Sequence, residues 1–473
     1  MLIEKIMTKI VCTIGPSTSS QQMLWRLAKA GMNVARLNLS HNTAAEHTAN
    51  VRQIRQVARK LRTPIGILFD IPGPKIRVGK LAPDPINLNT GYQVTLTGRQ
   101  MLGDQKTIPI SHPRFVRALN KGDPVFLADG TIRLVVETVK TNDVHCRVTR
   151  GGSLFSGKGV NVPSKNLGLR ALTRRDVSLL RFALKRGANF VGLSFTTTSQ
   201  DIIRARRIIS ELSSPAWIIA KIETREAVQN FDEIVQRADG IMVARGDLGV
   251  EMKVEDIPIL QKQIISKANA AGKPVITATQ MLESMVTNPT PTRAEVTDIA
   301  NAIIDGTDAI MLSEETAIGR YPLEAVEVMK KVAAATEAAL PYRNLLEARR
   351  PLVEKTQDAI AFSACEAALD LDASCIVANT RTGTTAHRVS KFRSSIPIVA
   401  MTSSVSVMDQ LSLLWGVHPH RVKPLLTTSE IFRAAKNEGM ASRTAHSGDR
   451  IIVVCGDPST PGGTTDLLRI QTV

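Results

Sequence analysis

Short apolar segments alternate with amphipathic stretches through the first 340 residues of the chain. Such segments are typical of buried parallel strands, and the stretches between them keep an apolar stripe at helical spacing. Eight strand–helix units are the number that closes a (β/α)₈ TIM barrel. The predicted strands are 9–14, 33–39, 65–70, 190–195, 217–223, 241–246, 275–280 and 309–315, and the predicted helices include 174–186, 225–237, 257–271 and 322–339.

The pattern changes between the third and fourth predicted strands. Residues 73–168, called the insertion below, alternate polar and apolar side chains and contain turn sequences such as Ala128-Asp129-Gly130-Thr131. They predict a β-rich, barrel-like domain entered at Gly73-Pro74 and left at Gly168. Because it leaves the carboxyl end of a barrel strand, where barrel enzymes carry their sites, we expect it to act as a lid.

A second α/β alternation follows residue 340, with predicted helices at 357–369 and 385–392 and predicted strands at 375–378 and 398–401. The barrel already has its eight strands, so this part predicts a separate doubly wound domain. The expected organisation is a barrel (1–72 and 169–340), the inserted lid (73–168) and a C-terminal α/β regulatory domain (341–473, the C-terminal unit below).

Composition limits the class of protein. Hydrophobic residues make up 43% and charged residues 22% of the chain, as in globular proteins, and no apolar run reaches the roughly 18 residues of a membrane span. The N-terminus lacks a secretory pattern, and the five scattered cysteines suit buried, reduced thiols. We therefore expect a soluble cytoplasmic protein without a membrane partner.

The net charge of +17 is compatible with nucleic-acid binding, with the binding of anionic substrates, or with a basic surface that has no ligand. An aromatic content of 4% and the absence of any block of five basic residues argue against nucleic acid. Phosphorylated substrates explain the sign equally well. A basic RNA-binding protein stays as the non-enzyme alternative, and a steep salt dependence of RNA affinity would be its mark.

Polar and charged residues collect at the carboxyl ends of the predicted barrel strands. One such residue is usually a solvated loop residue, but in a barrel these ends converge on one rim. The residues are Arg36, Asn38, Ser40, Asp70, Ser194, Lys221, Glu223, Arg245, Asp247, Thr279 and Ser313.

Lys221 and Glu223 are two residues apart and therefore share one face of a strand, and the next strand brings Asp247. A hard cation such as Mg²⁺ commonly takes one or two carboxylates and leaves its other positions to substrate oxygens and water. The spacing predicts a magnesium site here. A buried Lys–Glu–Asp ion network without metal is the alternative.

Five stretches occur in order along nearly the whole chain: TKIVCTIGPS (8–17), NVARLNLSH (33–41), MVARGDLGV (242–250), ITATQMLESM (276–285) and NPTPTRAEVTDIANA (288–302). Together they resemble the pyruvate kinases, specifically a bacterial type that works without K⁺. The resemblance implies Mg²⁺-dependent phosphoryl transfer from phosphoenolpyruvate to ADP, giving pyruvate and ATP at the last step of glycolysis.

Carried over by position, the resemblance implies that Glu223 and Asp247 hold Mg²⁺, with Mn²⁺ as an alternative, and that Lys221 faces the phosphoryl group. Arg36 would bind phosphate, and Ser194 would contact metal-bound water. The residues implied near the nucleotide or its metal are Arg36, Asn38, His41 and Lys158.

The substrate carboxylate is expected on the backbone N–H groups of Gly246 and Asp247, where a short helix begins. Thr279 matches the family's hydroxyl beside the nascent methyl group, and Ser313 and Glu315 form a candidate proton relay. A threonine hydroxyl is a poor acid, so a water chain that ends at Thr279 fits equally well.

One departure from the family pattern concerns K⁺. Many members place a glutamate beside a bound K⁺ after the third strand, whereas this chain has Lys75 at that position. Its ammonium can supply the positive charge next to Asp70, so we expect no K⁺ requirement; the alternative is that Lys75 points outward. The residues of this monovalent-cation region are Asn38, Ser40, Asp70, Ile71 and Lys75.

The resemblance also covers regulation and assembly. A hydroxyl-rich loop resembles the family's effector loop and suits a sugar phosphate or nucleotide, with Lys391, Arg393 and the 456–465 loop expected nearby. The segment 292–295 matches a subunit interface, which implies a homotetramer. The loop residues are Thr380, Arg381, Thr382, Gly383, Thr384 and Thr385.

A metal-dependent aldolase or lyase of the same barrel type is the second enzyme hypothesis, because it would use Glu223 and Asp247 in the same way. Lys221 and the insertion argue against it. Dependence on a nucleotide separates the two.

Overall fold

The computed structural model describes residues 6–128, 130–163, 171–458 and 464–473, without the side chains of residues 113 and 114. Two residues and one segment used in the sequence predictions lie outside the described residues. They are Asp129 in the predicted turn, Gly168 at the exit of the insertion, and residues 459–463 of the 456–465 loop.

The chain begins with three strands, β1 (Lys9–Thr13), β2 (Met32–Asn38) and β3 (Gly66–Ile71), separated by helices α1 (Gln21–Ala30) and α2 (Ala44–Leu61). The three strands are buried along almost their whole length, as expected for a parallel sheet covered by helices. Thr43 caps α2 in a reciprocal pair with Glu46, which fixes where this helix starts.

The insertion forms its own β structure around its own apolar core. Its described strands pair in a six-stranded sheet, β11-β7-β8-β9-β5-β6, and a two-stranded sheet, β10-β4. The elements are β4 (Ile86–Leu88), β5 (Gln93–Thr97), β6 (Thr107–Pro109), α3 (Pro113–Ala118), β7 (Pro124–Leu127), β8 (Ile132–Val139), β9 (Asp143–Arg150), β10 (Gly152–Leu154) and β11 (Val160–Asn161).

The chain then returns to the barrel. The elements are α4 (Arg174–Lys185), β12 (Phe190–Leu193), α5 (Ser199–Glu211), β13 (Trp217–Ile222), α6 (Arg225–Gln229), α7 (Phe231–Arg237), β14 (Gly240–Ala244), α8 (Arg245–Glu251), α9 (Ile257–Ala270), β15 (Val275–Ala278), α10 (Arg293–Ile304), β16 (Ala309–Leu312), α11 (Glu314–Ala317) and α12 (Pro322–Ala338).

Within the described residues, eight parallel strands close a barrel in the order β1-β16-β15-β14-β13-β12-β3-β2. The predicted (β/α)₈ barrel is confirmed. One predicted helix, 225–237, is wrong in its continuity: it is two helices, α6 and α7, which meet at Asn230. Residue spacing does not reveal such a break, because the apolar stripe continues across it.

The C-terminal unit contains α13 (Tyr342–Glu347), α14 (Thr356–Asp370), β17 (Cys375–Asn379), α15 (Thr384–Lys391), β18 (Ile398–Thr402), α16 (Val405–Leu411), β19 (Val417–Arg421), α17 (Thr428–Ala441), β20 (Arg450–Cys455) and β21 (Leu467–Thr472). The strands form one sheet in the order β19-β18-β17-β20-β21. The predicted α/β class is confirmed, and the antiparallel edge strand β21 adds to it.

The C-terminal unit packs on the amino end of the barrel strands. Arg393 forms a buried pair with Asp308, which directly precedes β16, at 2.7 Å between Nη2 and Oδ2. The imidazole of His387 lies against the indole of Trp217 at the start of β13. These contacts join α15 and the residues just after it to the end of the barrel opposite the converging polar residues.

The state of the cysteines and the character of the helices can be read directly from the described residues. All five cysteines are buried free thiols. None of the described helices combines the length and apolar character needed to cross a membrane.

Candidate active site

Asp70 lies at the centre of a buried cluster at the carboxyl end of the barrel. Arg36, from β2, donates to its Oδ2 from Nε at 2.9 Å and from Nη2 at 2.6 Å. Lys221, from β13, donates to its Oδ1 at 3.0 Å. The parallel register explains the meeting, since Arg36, Asp70 and Lys221 all lie near the carboxyl ends of their strands.

The Lys221 ammonium has two further partners. It donates to Ser194 Oγ at 2.7 Å and lies 2.8 Å from Glu223 Oε1. Glu223 Oε2 also accepts the backbone N–H of Phe195 at 2.9 Å. The predicted shared face of Lys221 and Glu223 is therefore confirmed, and one cation links two carboxylates.

The charged groups in this cluster shift one another's pKa values. Burial would raise the pKa of Asp70, but the Lys221 and Arg36 cations hold it below its usual range. Burial would lower the pKa of Lys221, but Asp70 and Glu223 raise it well above the ordinary lysine value. The two carboxylates therefore favour the charged ammonium form of Lys221.

Glu223 behaves differently from Asp70. Its burial raises its pKa, the nearby charge of Asp247 adds to the rise, and Lys221 opposes it. Two carboxylates that repel each other across a gap are the arrangement that a divalent cation relieves, and carboxylate oxygens suit a hard ion such as Mg²⁺. The pair fits the predicted metal.

Within the described part of the chain, no three or more His, Cys, Asp or Glu side chains are placed to hold a metal by themselves. Glu223 and Asp247 would therefore form a site that substrate and water oxygens complete, as is common for Mg²⁺.

The backbone turn at the start of α8 contacts the turn after β15. The Gly246 N–H donates to Thr279 Oγ1 at 2.8 Å, and Thr279 Oγ1 lies 2.6 Å from the Ala278 carbonyl oxygen, to which it donates. The expected short helix is present as α8, and it starts at Arg245. The Gly246 N–H expected for the substrate carboxylate is bonded to Thr279 in this state.

Glu315 ties two loops together. Its carboxylate accepts the backbone N–H of Leu282 at 3.1 Å and that of Ser313 at 2.7 Å. Burial raises its pKa, and these backbone bonds oppose the rise. The candidate relay residues Ser313 and Glu315 are thus joined through the backbone N–H of Ser313.

The insertion reaches the site at two points. Lys75 Nζ lies 3.2 Å from Asp247 Oδ1, so its ammonium faces the site and the outward alternative is wrong. Asn161 donates to Glu251 at the end of α8 at 3.3 Å. The expected position of the Lys75 charge beside Asp70 stays a prediction.

The remaining candidate residues lie at the rim. Asn38 accepts the backbone N–H of Ser40 at 3.0 Å, while Ile71 is buried at the end of β3. His41 and Lys158 are exposed and make backbone contacts, through their carbonyl oxygens, with His47 and Val78. The structure thus brings neither side chain into the buried cluster.

The predicted effector loop lies in the C-terminal unit, between β17 and α15. It borders a cavity of about 250 Å³ that Lys423 and Asp457 also line. Thr380 accepts the N–H of Gly383 at 2.9 Å, and Thr385 Oγ1 lies 2.9 Å from Thr465 Oγ1. Arg393, expected near this loop, points instead to the barrel through Asp308.

Sequence reasoning placed Asp70 on the converging rim and in the monovalent-cation region, but missed its central place as the partner of Arg36 and Lys221. It also missed Thr13, whose hydroxyl accepts Arg36 Nη1 at 2.9 Å. A signal was available, because Asp70 ends the otherwise apolar predicted strand 65–70 and a buried carboxylate needs cations. Which cations reach it depends on contacts between strands distant in sequence.

Comparison with known proteins covers nearly the whole chain. Residues 5–326 match the family described as "Pyruvate kinase, barrel domain", and residues 358–471 match "Pyruvate kinase, alpha/beta domain".

Individual relatives agree with these matches. The pyruvate kinase of Thermococcus litoralis is 44% identical over 98% of both chains. Pyruvate kinase 2 of Synechocystis is 45% identical over 98% of this chain and 79% of its own length. A crystal structure of a pyruvate kinase from Cryptosporidium parvum superposes with a TM-score of 0.93 and 38% identity, covering 99% of this chain and 96% of that one.

Proposed function

The chain belongs to the pyruvate kinase family, and from this premise we propose which of its residues carry each part of the reaction. The reaction moves the phosphoryl group of phosphoenolpyruvate to ADP and yields pyruvate and ATP, which makes the chain a phosphotransferase of glycolysis. Family membership decides against the lyase and RNA-binding alternatives. The observation that carries the assignment is the buried Lys221 ammonium, held by Asp70, Ser194 and Glu223.

Lys221 and Arg36 bind and stabilise the phosphoryl group in flight. Phosphoryl transfer leaves negative charge on the equatorial oxygens, and catalysis consists mainly of positioning and electrostatic stabilisation. Both cations are already fixed by Asp70, so they need little reorganisation when the charge develops. Asp70 is therefore a positioning residue for two substrate-binding cations.

Glu223 and Asp247 would hold the divalent ion, which we assign as Mg²⁺ with Mn²⁺ as an alternative. When bound, the ion would neutralise negative charge on the reacting oxygens. Their mutual repulsion supports this assignment. Ser194 would contact a water of the same site, and its position against Lys221 supports this role.

The α8 turn and the turn after β15 serve the pyruvate end of the substrate. The N–H groups of Gly246 and Asp247 bind the carboxylate, which requires Gly246 to exchange its bond with Thr279. The Thr279 hydroxyl, alone or through a water chain, delivers the proton to the enolate carbon. Glu315 and Ser313 complete the relay, and the buried Glu315 has the raised pKa that suits a proton carrier.

The insertion is the nucleotide-covering lid between the two parts of the barrel, with the boundaries 73 and 168. Its Lys158, together with Asn38 and His41 on the barrel, contacts ADP or its metal when the lid closes. The contacts that Lys75 and Asn161 make with the barrel support an insertion that already lies over the site.

Lys75 replaces the monovalent cation, so the enzyme works without K⁺. Pyruvate kinases generally pair a divalent ion with K⁺, and here an ammonium already stands 3.2 Å from Asp247. A permanent positive charge at this position would hold the site's carboxylates in the arrangement that K⁺ otherwise maintains. Ser40 and Ile71 belong to the same region and would contribute to it through their backbone atoms.

Pyruvate formation from phosphoenolpyruvate, ADP and Mg²⁺, measured in a buffer whose only monovalent cation is bulky, tests this proposal. We expect full activity before K⁺ is added, and a K⁺ requirement in the Lys75→Glu variant. Lys80→Glu, an equal charge change at an exposed residue of the insertion, is the matched control and should stay independent of K⁺. Wild-type activity that appears only with K⁺ would refute the role of Lys75 and leave the kinase assignment standing.

The C-terminal unit binds a phosphorylated effector in the 250 Å³ cavity lined by Thr380, Arg381, Thr382, Thr384 and Thr385, with Gly383 in the same loop. Hydroxyls and the Arg381 and Lys423 cations suit a phosphate. Equilibrium binding of a panel of sugar phosphates and nucleotides, with no member binding, would reject this site.

The chain assembles as a homotetramer in the cytoplasm, with 292–295 at a subunit interface. The five free thiols support the compartment. A monomeric mass in native mass spectrometry at working concentration would contradict the assembly.

A further inference from the structure

The Thr279 hydroxyl stands on a strained piece of backbone. Thr279 has φ +69° and Gln280 has φ +54°, so two consecutive residues with side chains occupy the left-handed region. Such conformations persist only when their surroundings hold them in place. The loop after β15 therefore needs an external support to keep this hydroxyl where it is.

Arg245 supplies contacts of that kind. Its Nη2 donates to the Thr279 carbonyl oxygen at 2.7 Å and lies 3.4 Å from that of Gln280. Both strained residues are thus bonded by one nitrogen. The arginine is 8% exposed, so these bonds lie in a largely water-free environment.

Asp298 on α10 fixes the arginine in turn. Its Oδ2 accepts Arg245 Nη1 at 2.5 Å, while Gln261 on α9 accepts the same nitrogen at 3.4 Å. One planar guanidinium therefore bridges a helix carboxylate and the backbone of the reactive loop. A lysine ammonium lacks the flat, forked geometry that reaches both partners.

The residue next to Arg245 completes the arrangement. In this state the Gly246 N–H donates to Thr279 Oγ1 at 2.8 Å, so the α8 turn holds both the carbonyl and the hydroxyl of Thr279; when the substrate carboxylate takes the Gly246 N–H, the Arg245 bond to the carbonyl is the one that remains. A Cβ added to Gly246 would lie 3.3 Å from that oxygen, which shows how closely the two turns approach. Movement of Arg245 would therefore move the hydroxyl.

We infer that the Arg245–Asp298 pair is a positioning element for the protonation half of the reaction, and that it acts through Thr279 without touching substrate. The inference rests on the proposed role of Thr279. In that step a proton passes from the Thr279 hydroxyl, or from water bonded to it, to the enolate C3, the enolate C–O becomes a carbonyl, and solvent returns the proton. Phosphoryl transfer, at Lys221 and Arg36, does not depend on the pair.

The test separates the two halves of the reaction in the full-length enzyme. Exchange of the pyruvate methyl protons with D₂O, in the presence of Mg²⁺ and inorganic phosphate, is followed by NMR and reports proton transfer at C3. We expect Arg245→Lys and Asp298→Asn to slow this exchange by about 10- to 100-fold, because a misplacement near 1 Å can cost as much. The KM for phosphoenolpyruvate should change less than about threefold.

Arg393→Lys is the matched control, since it alters another buried arginine–carboxylate pair at the far end of the barrel. It should leave the exchange rate unchanged. Normal exchange in folded Arg245→Lys and Asp298→Asn proteins would overturn the inference, as would an equal loss in Arg393→Lys.

Thr279→Val distinguishes this inference from the function it rests on. If Thr279→Val exchanges normally, Thr279 is not the proton donor and the proposed function is wrong at that residue. If Thr279→Val loses exchange but the Arg245 and Asp298 variants keep it, the inference alone fails. Thermal melting of each variant checks that it is folded.

Discussion

The two ends of the barrel both bury ionised side chains, but they satisfy them differently. At the carboxyl end, Asp70 is held by the side chains of Arg36 and Lys221. At the amino end, Glu337 accepts the backbone N–H groups of Met7 at 2.8 Å and Thr8 at 2.7 Å. Asp308 likewise accepts the N–H of Val275 at 2.9 Å in addition to Arg393.

The cations differ in the same way. Arg36 and Lys221 are bonded only to side chains, whereas Lys9 at the amino end donates to the backbone carbonyl of Val417. The carboxylates do not divide so cleanly, because Glu223 and Glu315 at the carboxyl end also accept backbone N–H groups. Buried charge alone therefore does not mark function; the buried cations that we propose for phosphate binding are the ones held in place by side chains alone.

The largest effect that tests this comparison is expected for Lys221→Met. Removal of the ammonium should lower kcat by about 10³- to 10⁵-fold, since a single cation at a transferring phosphoryl group contributes this much in related chemistry. Steady-state assays with a coupled pyruvate readout would measure it.

The matched control is Lys9→Met, because Lys9 is also a buried lysine and donates to the Val417 carbonyl at the opposite end. It should leave kcat within about threefold. A loss below tenfold in Lys221→Met, or a comparable loss in Lys9→Met, would show that position in the barrel does not separate function from structure.

Most of the fold followed from residue periodicity. The strand predictions fall within a few residues of the observed strands, because a covered parallel strand is a short apolar run bounded by polar residues. The break at Asn230 and the antiparallel direction of β21 did not follow. Both depend on local backbone geometry or on pairing, and neither alters the spacing of apolar side chains.

The site was predictable where chemistry is local. Lys221 and Glu223 could be placed together because two residues on one strand share a face. The partnership of Asp70 with Arg36 and Lys221, and that of Arg245 with Asp298, join residues far apart in sequence. Their detection requires the closed barrel, which brings those residues within hydrogen-bonding distance.

A smaller effect, on stability and not on turnover, is expected for Asp308→Asn. The change leaves the Arg393 guanidinium buried without its counter-charge, which typically costs about 3–5 kcal/mol. The thermal midpoint should fall, while kcat measured well below it stays near the wild-type value.

A double variant, Asp308→Asn with Arg393→Met, separates charge from shape. It removes the unpaired cation and keeps an amide oxygen for the backbone N–H of Val275. We expect it to melt above Asp308→Asn. If the double variant melts lower still, the Arg393 guanidinium stabilises the protein mainly through packing. The Arg393–Asp308 pair would then no longer be an example of buried charges that stabilise the amino end.

The smallest expected effect is a titration at the same end. Burial lowers the pKa of Lys9 to about 8, against 10.5 for an exposed lysine, although Glu337 and Asp308 oppose the shift. Between these pH values the unfolded chain binds more protons than the folded one, so this group adds stability as pH rises, by at most about 3 kcal/mol. The difference in thermal midpoint between wild type and Lys9→Met should therefore move in favour of wild type from pH 8 to pH 10. No such change is expected at Lys221, because its carboxylate partners raise its pKa. If the difference in thermal midpoint between wild type and Lys9→Met does not change with pH, Lys9 stays charged in the folded protein, as Lys221 does.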